Sequence, residues 1–179
     1  MVKSFKLTNV SGVIMDVLTL LNNQTEEMYT SEIQKNLKLS KATVIKWLRE
    51  LKEFDLVTEK RRGNMNYYKL NKENPIIKQV KILQNVTELL PLMNALKGVA
   101  EVCLFGSSAR GEDRPDSDYD ILIVTKLIPK EVFRILKDTD RISKRAINMK
   151  IIKPSDYADM AKHDPALYQR IEIDKIRLV

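Results

Sequence analysis

One cysteine, one histidine and one tryptophan in 179 residues, with five glycines and six prolines, leave several chemistries without material. Cys103 stands alone, so no internal disulfide and no cysteine-rich zinc site can form, which suits a reducing compartment. His163 has no Cys, Ser or His partner near it in sequence, so a histidine-centred catalytic set has nothing to build on. Glycine and proline are too scarce for a collagen-like or low-complexity chain. No apolar run approaches the roughly 18 residues that cross a membrane. The first ten residues, MVKSFKLTNV, lack the uninterrupted apolar core of a secretory signal, so the expectation is a cytoplasmic protein with no membrane partner.

What is present is a hydrophobic fraction of 44% and 31 Lys+Arg against 24 Asp+Glu, a formal charge of +7. The length admits one large domain or two small ones. Residues 1–74 carry 13 basic and 9 acidic side chains, and residues 75–179 carry 18 and 15, so neither half is extreme. Any binding surface must come from local clustering. Two clusters stand out: the basic run Lys60-Arg61-Arg62, and an acidic stretch from Glu112 to Asp120 with five carboxylates.

In the N-terminal half, Val10, Val13, Ile14, Val17, Leu18 and Leu21 recur at the spacing of one helical face. A short helix over 30–37 follows, with Thr30 or Ser31 able to cap it. Ser40 is a good cap for a third helix whose buried stripe is Val44, Leu48 and Leu51, leaving Lys41, Ile45, Lys46 and Arg49 on the other side. Val57–Arg61 and Met65–Leu70 read as strands joined by Arg62-Gly63-Asn64, a hairpin signal. Of Tyr67 and Tyr68, alternation buries one and exposes the other.

Helix, short helix, helix and hairpin is the order of a winged helix-turn-helix. The stretch LSKATVIKWLRELKEFDLVTEKRRGNMNYYKLN resembles winged-helix regulators of the arsenic-repressor and multiple-antibiotic-repressor type, over about residues 8–71. The resemblance implies a recognition helix starting at Ser40 and a basic hairpin against the flanking DNA backbone or minor groove. Lys41, Lys46, Arg49, Lys60, Arg61 and Arg62 would neutralise phosphates, while Ser40, Thr43 and Asn64 would donate to phosphates or base edges.

From Pro75 to Leu96 a stripe of Ile76, Val80, Leu83, Val86, Leu90 and Met93 predicts helix. Pro91 allows either one bent helix or two helices meeting near Leu90-Pro91. The stripe is either a dimer seam, giving a homodimer, or a face packed on its own domain.

The C-terminal half opens with a buried strand, Val99–Phe105, ending at Gly106. A second apolar strand, Ile121–Val124, begins with Asp118-Tyr119-Asp120. Alternation puts Asp118 and Asp120 on one side, about 6.6 Å apart along the strand. Two like charges there call for a cation, and Mg2+ suits carboxylate and phosphate oxygens. Glu112, Asp113 and Asp116 read as a solvated acidic loop. Gly106 and Ser107, directly after a strand, allow a phosphate to approach the backbone closely. Strand, Gly-Ser, ten residues, Asp-x-Asp, strand is the most specific pattern in the chain.

GSSARGEDRPDSDYD resembles the signature of minimal nucleotidyltransferases of the DNA polymerase beta superfamily, over about residues 87–179. That resemblance implies a mixed sheet with flanking helices and transfer of a nucleoside monophosphate from ATP or another nucleoside triphosphate with two Mg2+ ions. Gly106, Ser107 and Arg110 would contact the nucleotide, although an ion pair is an equal prospect for Arg110. Asp118 and Asp120 would be the catalytic metal ligands. The third carboxylate position, on the strand AINMKIIKP, holds Asn148, whose amide oxygen can ligate a metal but is a poor base. Asp156, past the corner at Pro154, reads as the N-cap of the next helix, and DPALYQRIEIDKIRLV as a capped helical turn and a last strand.

The expected architecture is therefore α+β, with a winged helix-turn-helix over 1–74, a connecting helix over 75–90 and a nucleotidyltransferase domain over 91–179. Two functions follow. One is a Mg2+-dependent nucleotidyltransferase acting on a protein or small-molecule hydroxyl, as in the antitoxin half of toxin–antitoxin pairs, which act on a toxin partner. The other is a transcriptional regulator whose second domain only binds nucleotide or dimerises.

Overall fold

The first apolar stripe folds as helix α1 (Gly12–Asn22), with Ile14, Val17, Leu18 and Leu21 buried. Val10, of the same stripe, lies outside the residues described by the structure, a computed structural model covering 12–137 and 143–179. After α1 come β1 (Met28–Tyr29), α2 (Thr30–Leu37), α3 (Lys41–Glu53), β2 (Val57–Arg62) and β3 (Met65–Leu70). The three strands form an antiparallel sheet in the order β1-β3-β2.

Neither Thr30 nor Ser31 caps α2. The cap is Tyr29, whose N–H donates to the Glu32 carboxylate at 3.0 Å. Tyr29 is already extended because it pairs with Tyr67 in the sheet, so the helix starts at Thr30 and Glu32 reaches back to the orphan donor. Strand β1 carries no sequence signal, since two residues cannot display alternation. It pairs Met28 with Tyr68.

Ser40 caps α3 as expected, accepting from the Thr43 N–H at 3.1 Å, and Val44, Leu48 and Leu51 are buried. The β2–β3 hairpin turns at Gly63-Asn64, with Arg62 paired to Met65 and Gly63 at φ 58, a conformation costly for other residues. Tyr68 is buried with its hydroxyl donating to Glu59, while Tyr67 is half-buried edge-on to Tyr29 rather than exposed.

The chain forms two units, Met1–Lys78 and Gln79–Val179. Helix α4 (Pro75–Glu88) and helix α5 (Leu90–Leu96) are separate, with Pro91 in the first turn of α5, so the two-helix alternative holds. The stripe expected along them is not the buried one. Ile76, Leu83 and Leu90 are exposed, Leu83 by 58%, whereas Lys81, Asn85, Leu89, Leu92 and Leu96 are buried. Polar partners inside the second unit accept Lys81 and Asn85, so hydrophobicity alone misplaces the inward face.

The second unit continues with β4 (Glu101–Phe105), α6 (Ser107–Arg110), β5 (Tyr119–Val124), α7 (Pro129–Lys137), β6 (Ile147–Ile152), α8 (Pro154–His163), α9 (Pro165–Glu172) and β7 (Ile176–Arg177). Its sheet is mixed, in the order β6-β5-β4-β7. Strands β5 and β6 run parallel, with α7 in the crossover between them, and the other pairs are antiparallel. Strand β4 starts two residues later than Val99. Gly98 turns the chain at φ 81, and the Val99 carbonyl accepts from the Thr125 hydroxyl at 2.7 Å, so Val99 stays exposed.

One face of this sheet buries Val102, Leu104, Tyr119, Ile121 and Ile123 with Leu92 and Leu96 of α5 and Val132 and Leu136 of α7. The other buries Cys103, Phe105, Leu122 and Val124 with Met160 of α8 and Ile171 of α9. Asp156 is not an N-cap. Lys153 holds that place, because Pro154 opens the helix at its first position and carries Asp156 into the first turn. Asp164 caps α9, accepting from the Leu167 N–H at 3.1 Å. Among the described residues no helix is long and apolar enough to cross a membrane.

Candidate functional site

The site begins where β4 ends. Phe105, the last residue of β4, pairs with Asp120 of β5, so the following Gly106 lies against Asp120. Gly106 adopts φ 74 and ψ −155, and a Cβ there would come within 2.8 Å of Asp120 Oδ2. Both the backbone conformation and the space demand glycine. Ser107 then opens the short helix α6, as the Gly-Ser pattern anticipates.

Asp120 in turn pairs with Asn148 on β6, and Oδ1 accepts from the Asn148 amide at 3.1 Å. Its other oxygen faces Arg170 of α9 at 3.4 Å. Strand β5 starts at Tyr119, so Asp118 stands just before it rather than inside it, with an exposed side chain. Tyr119 points into the core. Its hydroxyl lies 2.9 Å from Glu88 Oε2 and 3.2 Å from Asn85 Oδ1, and burial pushes its pKa well up, opposed by Arg145. Glu88 is also pushed up by burial. Hydrogen bonds from Ser143, the Lys144 N–H and Tyr119 outweigh that and hold its pKa below the ordinary value.

Behind Asp118 lies a buried polar cluster. Asp113 is 4% exposed, not part of a solvated loop as its acidic neighbours suggest. Its carboxylate accepts from Arg145 at 2.9 Å and Asn85 at 3.1 Å and faces Lys81 at 3.5 Å. Two cations offset the burial of this carboxylate. Arg145 stacks on the Tyr119 ring at 3.9 Å and donates to Ser108 Oγ, to the Ser117 carbonyl and to the Asp118 carbonyl. Ser108 also donates to the Asp118 carbonyl, at 3.5 Å. Arg145 thus pins the loop that presents Asp118.

Sequence reasoning missed this cluster and Arg170. Lys81 and Asn85 did carry a signal, since they lie four apart on a helix between apolar residues. Arg145 and Arg170 carried none, because both act by side-chain reach across the chain.

The donor set fits a divalent cation. Mg2+ is held by one or two carboxylates completed by substrate phosphates and water, and Asp118 and Asp120 supply two. Among the described residues no group of three His, Cys, Asp or Glu converges. Arg110 is engaged by Glu112 at 2.8 Å and by Asp174, so its guanidinium is shared with two carboxylates. His163 is exposed at the end of α8, and Cys103 is core, its thiol pKa raised by burial.

In the first unit, Lys41, Ile45, Lys46 and Arg49 share the exposed side of α3. Lys46 lies 4.8 Å from the ring of Trp47, which is half-buried. The Ser40 and Thr43 hydroxyls are 2.8 Å apart and serve the cap. At the hairpin Lys60 and Asn64 are exposed, and Arg61 donates to the Gly63 carbonyl at 3.2 Å. Arg62 pairs with Glu27 at 2.6 Å and lies over Tyr67 at 4.9 Å, which neutralises part of the basic run.

A helix-turn-helix with a three-stranded sheet, followed by a mixed sheet that sets Gly106 against Asp120, defines a protein with a regulator-type domain and a nucleotide-handling domain. Residues 81–178 match the nucleotidyltransferase domain family, and residues 15–59 match the bacterial regulatory proteins of the arsR family. The chain belongs to the nucleotidyltransferase domain family, here fused to an arsR-type helix-turn-helix domain. No curated protein matches the chain.

Proposed function

We propose that the second unit transfers a nucleoside monophosphate from ATP or another nucleoside triphosphate to a hydroxyl on a protein or small molecule, and that the first unit binds DNA. The observation that carries the reading is the close approach of Gly106 to Asp120, which sets the glycine turn that ends β4 directly beside a carboxylate at the start of β5. Gly106 and Ser107 hold the triphosphate, with Arg110 beside them. Asp118 and Asp120 hold Mg2+. The acceptor hydroxyl oxygen attacks the α-phosphorus, its proton passes to solvent or to a nearby carboxylate, and pyrophosphate leaves with the broken P–O electron pair. A divalent ion held by Asp118 and Asp120 would supply positive charge to the phosphates.

A second reading has its own observation. Asn148, which stands beside Asp120, donates its amide to that carboxylate and cannot take a proton from an acceptor hydroxyl. A lost general base lowers a rate by about 10^2- to 10^4-fold. In this form the unit is a nucleotide-responsive module governing the DNA-binding domain. One experiment separates the two: labelled ATP, Mg2+ and cell lysate, comparing wild type with the Asp118→Ala/Asp120→Ala variant. Label transferred by wild type alone supports the enzyme. ATP binding by wild type with no label transferred supports the regulator.

A further inference from the structure

We infer that the nucleotide site takes a single divalent cation and that Arg170 of α9 supplies the positive charge a second ion would bring. The inference rests on the nucleotide-binding reading above and specifies its charge.

Two divalent ions a few ångströms apart repel with four times the energy of two unit charges, so a site that holds both needs carboxylates between them. Only Asp118 and Asp120 are available at the junction of β4 and β5, and among the described residues no third His, Cys, Asp or Glu joins them. The place beside Asp120 on β6 is taken by Asn148, a neutral group that donates to Oδ1 at 3.1 Å. The opposite oxygen, Oδ2, is faced by the Arg170 guanidinium at 3.4 Å. Asp120 therefore has an amide donor on one oxygen and a guanidinium on the other.

Arg170 is suited to that role. Its side chain is 61% exposed, and its guanidinium lies 5.9 Å from the centroid of the ring of Phe105, the residue before Gly106. A guanidinium beside Asp120 and Phe105 can turn to phosphate oxygens bound at Gly106. A planar, permanently charged fork is well matched to phosphate. With an ion bound, Arg170 leaves Asp120 for the triphosphate, and the local charge stays balanced without a second metal.

The test counts ions. Mn2+ is titrated into the full chain, in excess over a non-hydrolysable ATP analogue, and followed by electron paramagnetic resonance. Wild type should bind one Mn2+ per bound analogue, and Asn148→Asp should bind two, because it adds a carboxylate beside Asp120. Arg170→Ala, an exposed change that leaves the core untouched, should weaken analogue binding about tenfold or more. Two ions in wild type, one in Asn148→Asp, or unchanged analogue affinity in Arg170→Ala would each overturn the inference while leaving the nucleotide reading intact. Failure of wild type to bind the analogue would overturn both.

Discussion

At the scale of single residues, two glycines with positive φ separate conformation from contact. Gly106 has Asp120 Oδ2 at 2.8 Å from where a Cβ would lie, whereas Gly63 has nothing within 4 Å. Gly106→Ala should lower stability by about 1–3 kcal/mol and abolish nucleotide binding, because Asp120 must move as well as the backbone. Gly63→Ala should cost about 1 kcal/mol and leave nucleotide binding unchanged. Thermal unfolding and analogue titration of the two variants read both effects. Asp113 is a different case. Removing its charge with Asp113→Leu strands Lys81 and Arg145 in the interior, and the expected loss is about 3–5 kcal/mol in denaturant unfolding. The residues of this second region were unevenly legible. Gly106, Ser107, Asp118, Asp120 and Asn148 lie on or beside strands, where spacing fixes position. Asp113 was misread because it and the four carboxylates around it resemble a solvated run, and only its partners, far away in sequence, reveal its burial.

At the scale of elements, local chemistry was a good guide where the chain carries its own signal. The α3 stripe and cap, the hairpin and the apolar run of β5 were all readable, since each depends on neighbours a few residues away, although β5 starts at Tyr119 and leaves Asp118 outside the expected alternation. Strand β1 and the cap of α2 were not, because Tyr29 takes its conformation from pairing with β3. Helix α4 misled for the opposite reason: of its apolar stripe Ile76 and Leu83 lie exposed and Val80 and Val86 only half-buried, while Lys81 and Asn85 turn inward to polar partners. Two predictions belong to this scale. Ser40→Ala removes the cap of α3 and should cost about 1 kcal/mol, read by thermal unfolding. Glu88, at the end of α4, has a pKa below its ordinary value of 4.5. Its contribution to stability is therefore complete above that value and is lost as pH falls through its lower folded pKa. Unfolding midpoints should drop on acidification below about pH 4.5, and Glu88→Gln should flatten the drop.

For the whole molecule, the net charge of +7 conceals an uneven distribution. The exposed cations of α3 share one side of the helix, whereas Arg62 of the hairpin is already paired with Glu27. Duplex affinity should fall steeply with salt, and Lys46→Ala or Lys60→Ala should each reduce the slope of log affinity against log salt by about one. Arg62→Ala should change it less, since its charge is shared. A slope that does not respond to Lys46 or Lys60 would remove these residues from the DNA contact. The cluster of Lys81, Asp113 and Arg145 bears on how such a sequence can diverge. Loss of Asp113 alone leaves two cations in the interior without a carboxylate, whereas loss of Lys81 or of Arg145 alone leaves that carboxylate one cationic partner. Drift at these positions is then one-sided: related chains that lack the carboxylate should lack both cations too, while a single cation can be exchanged first.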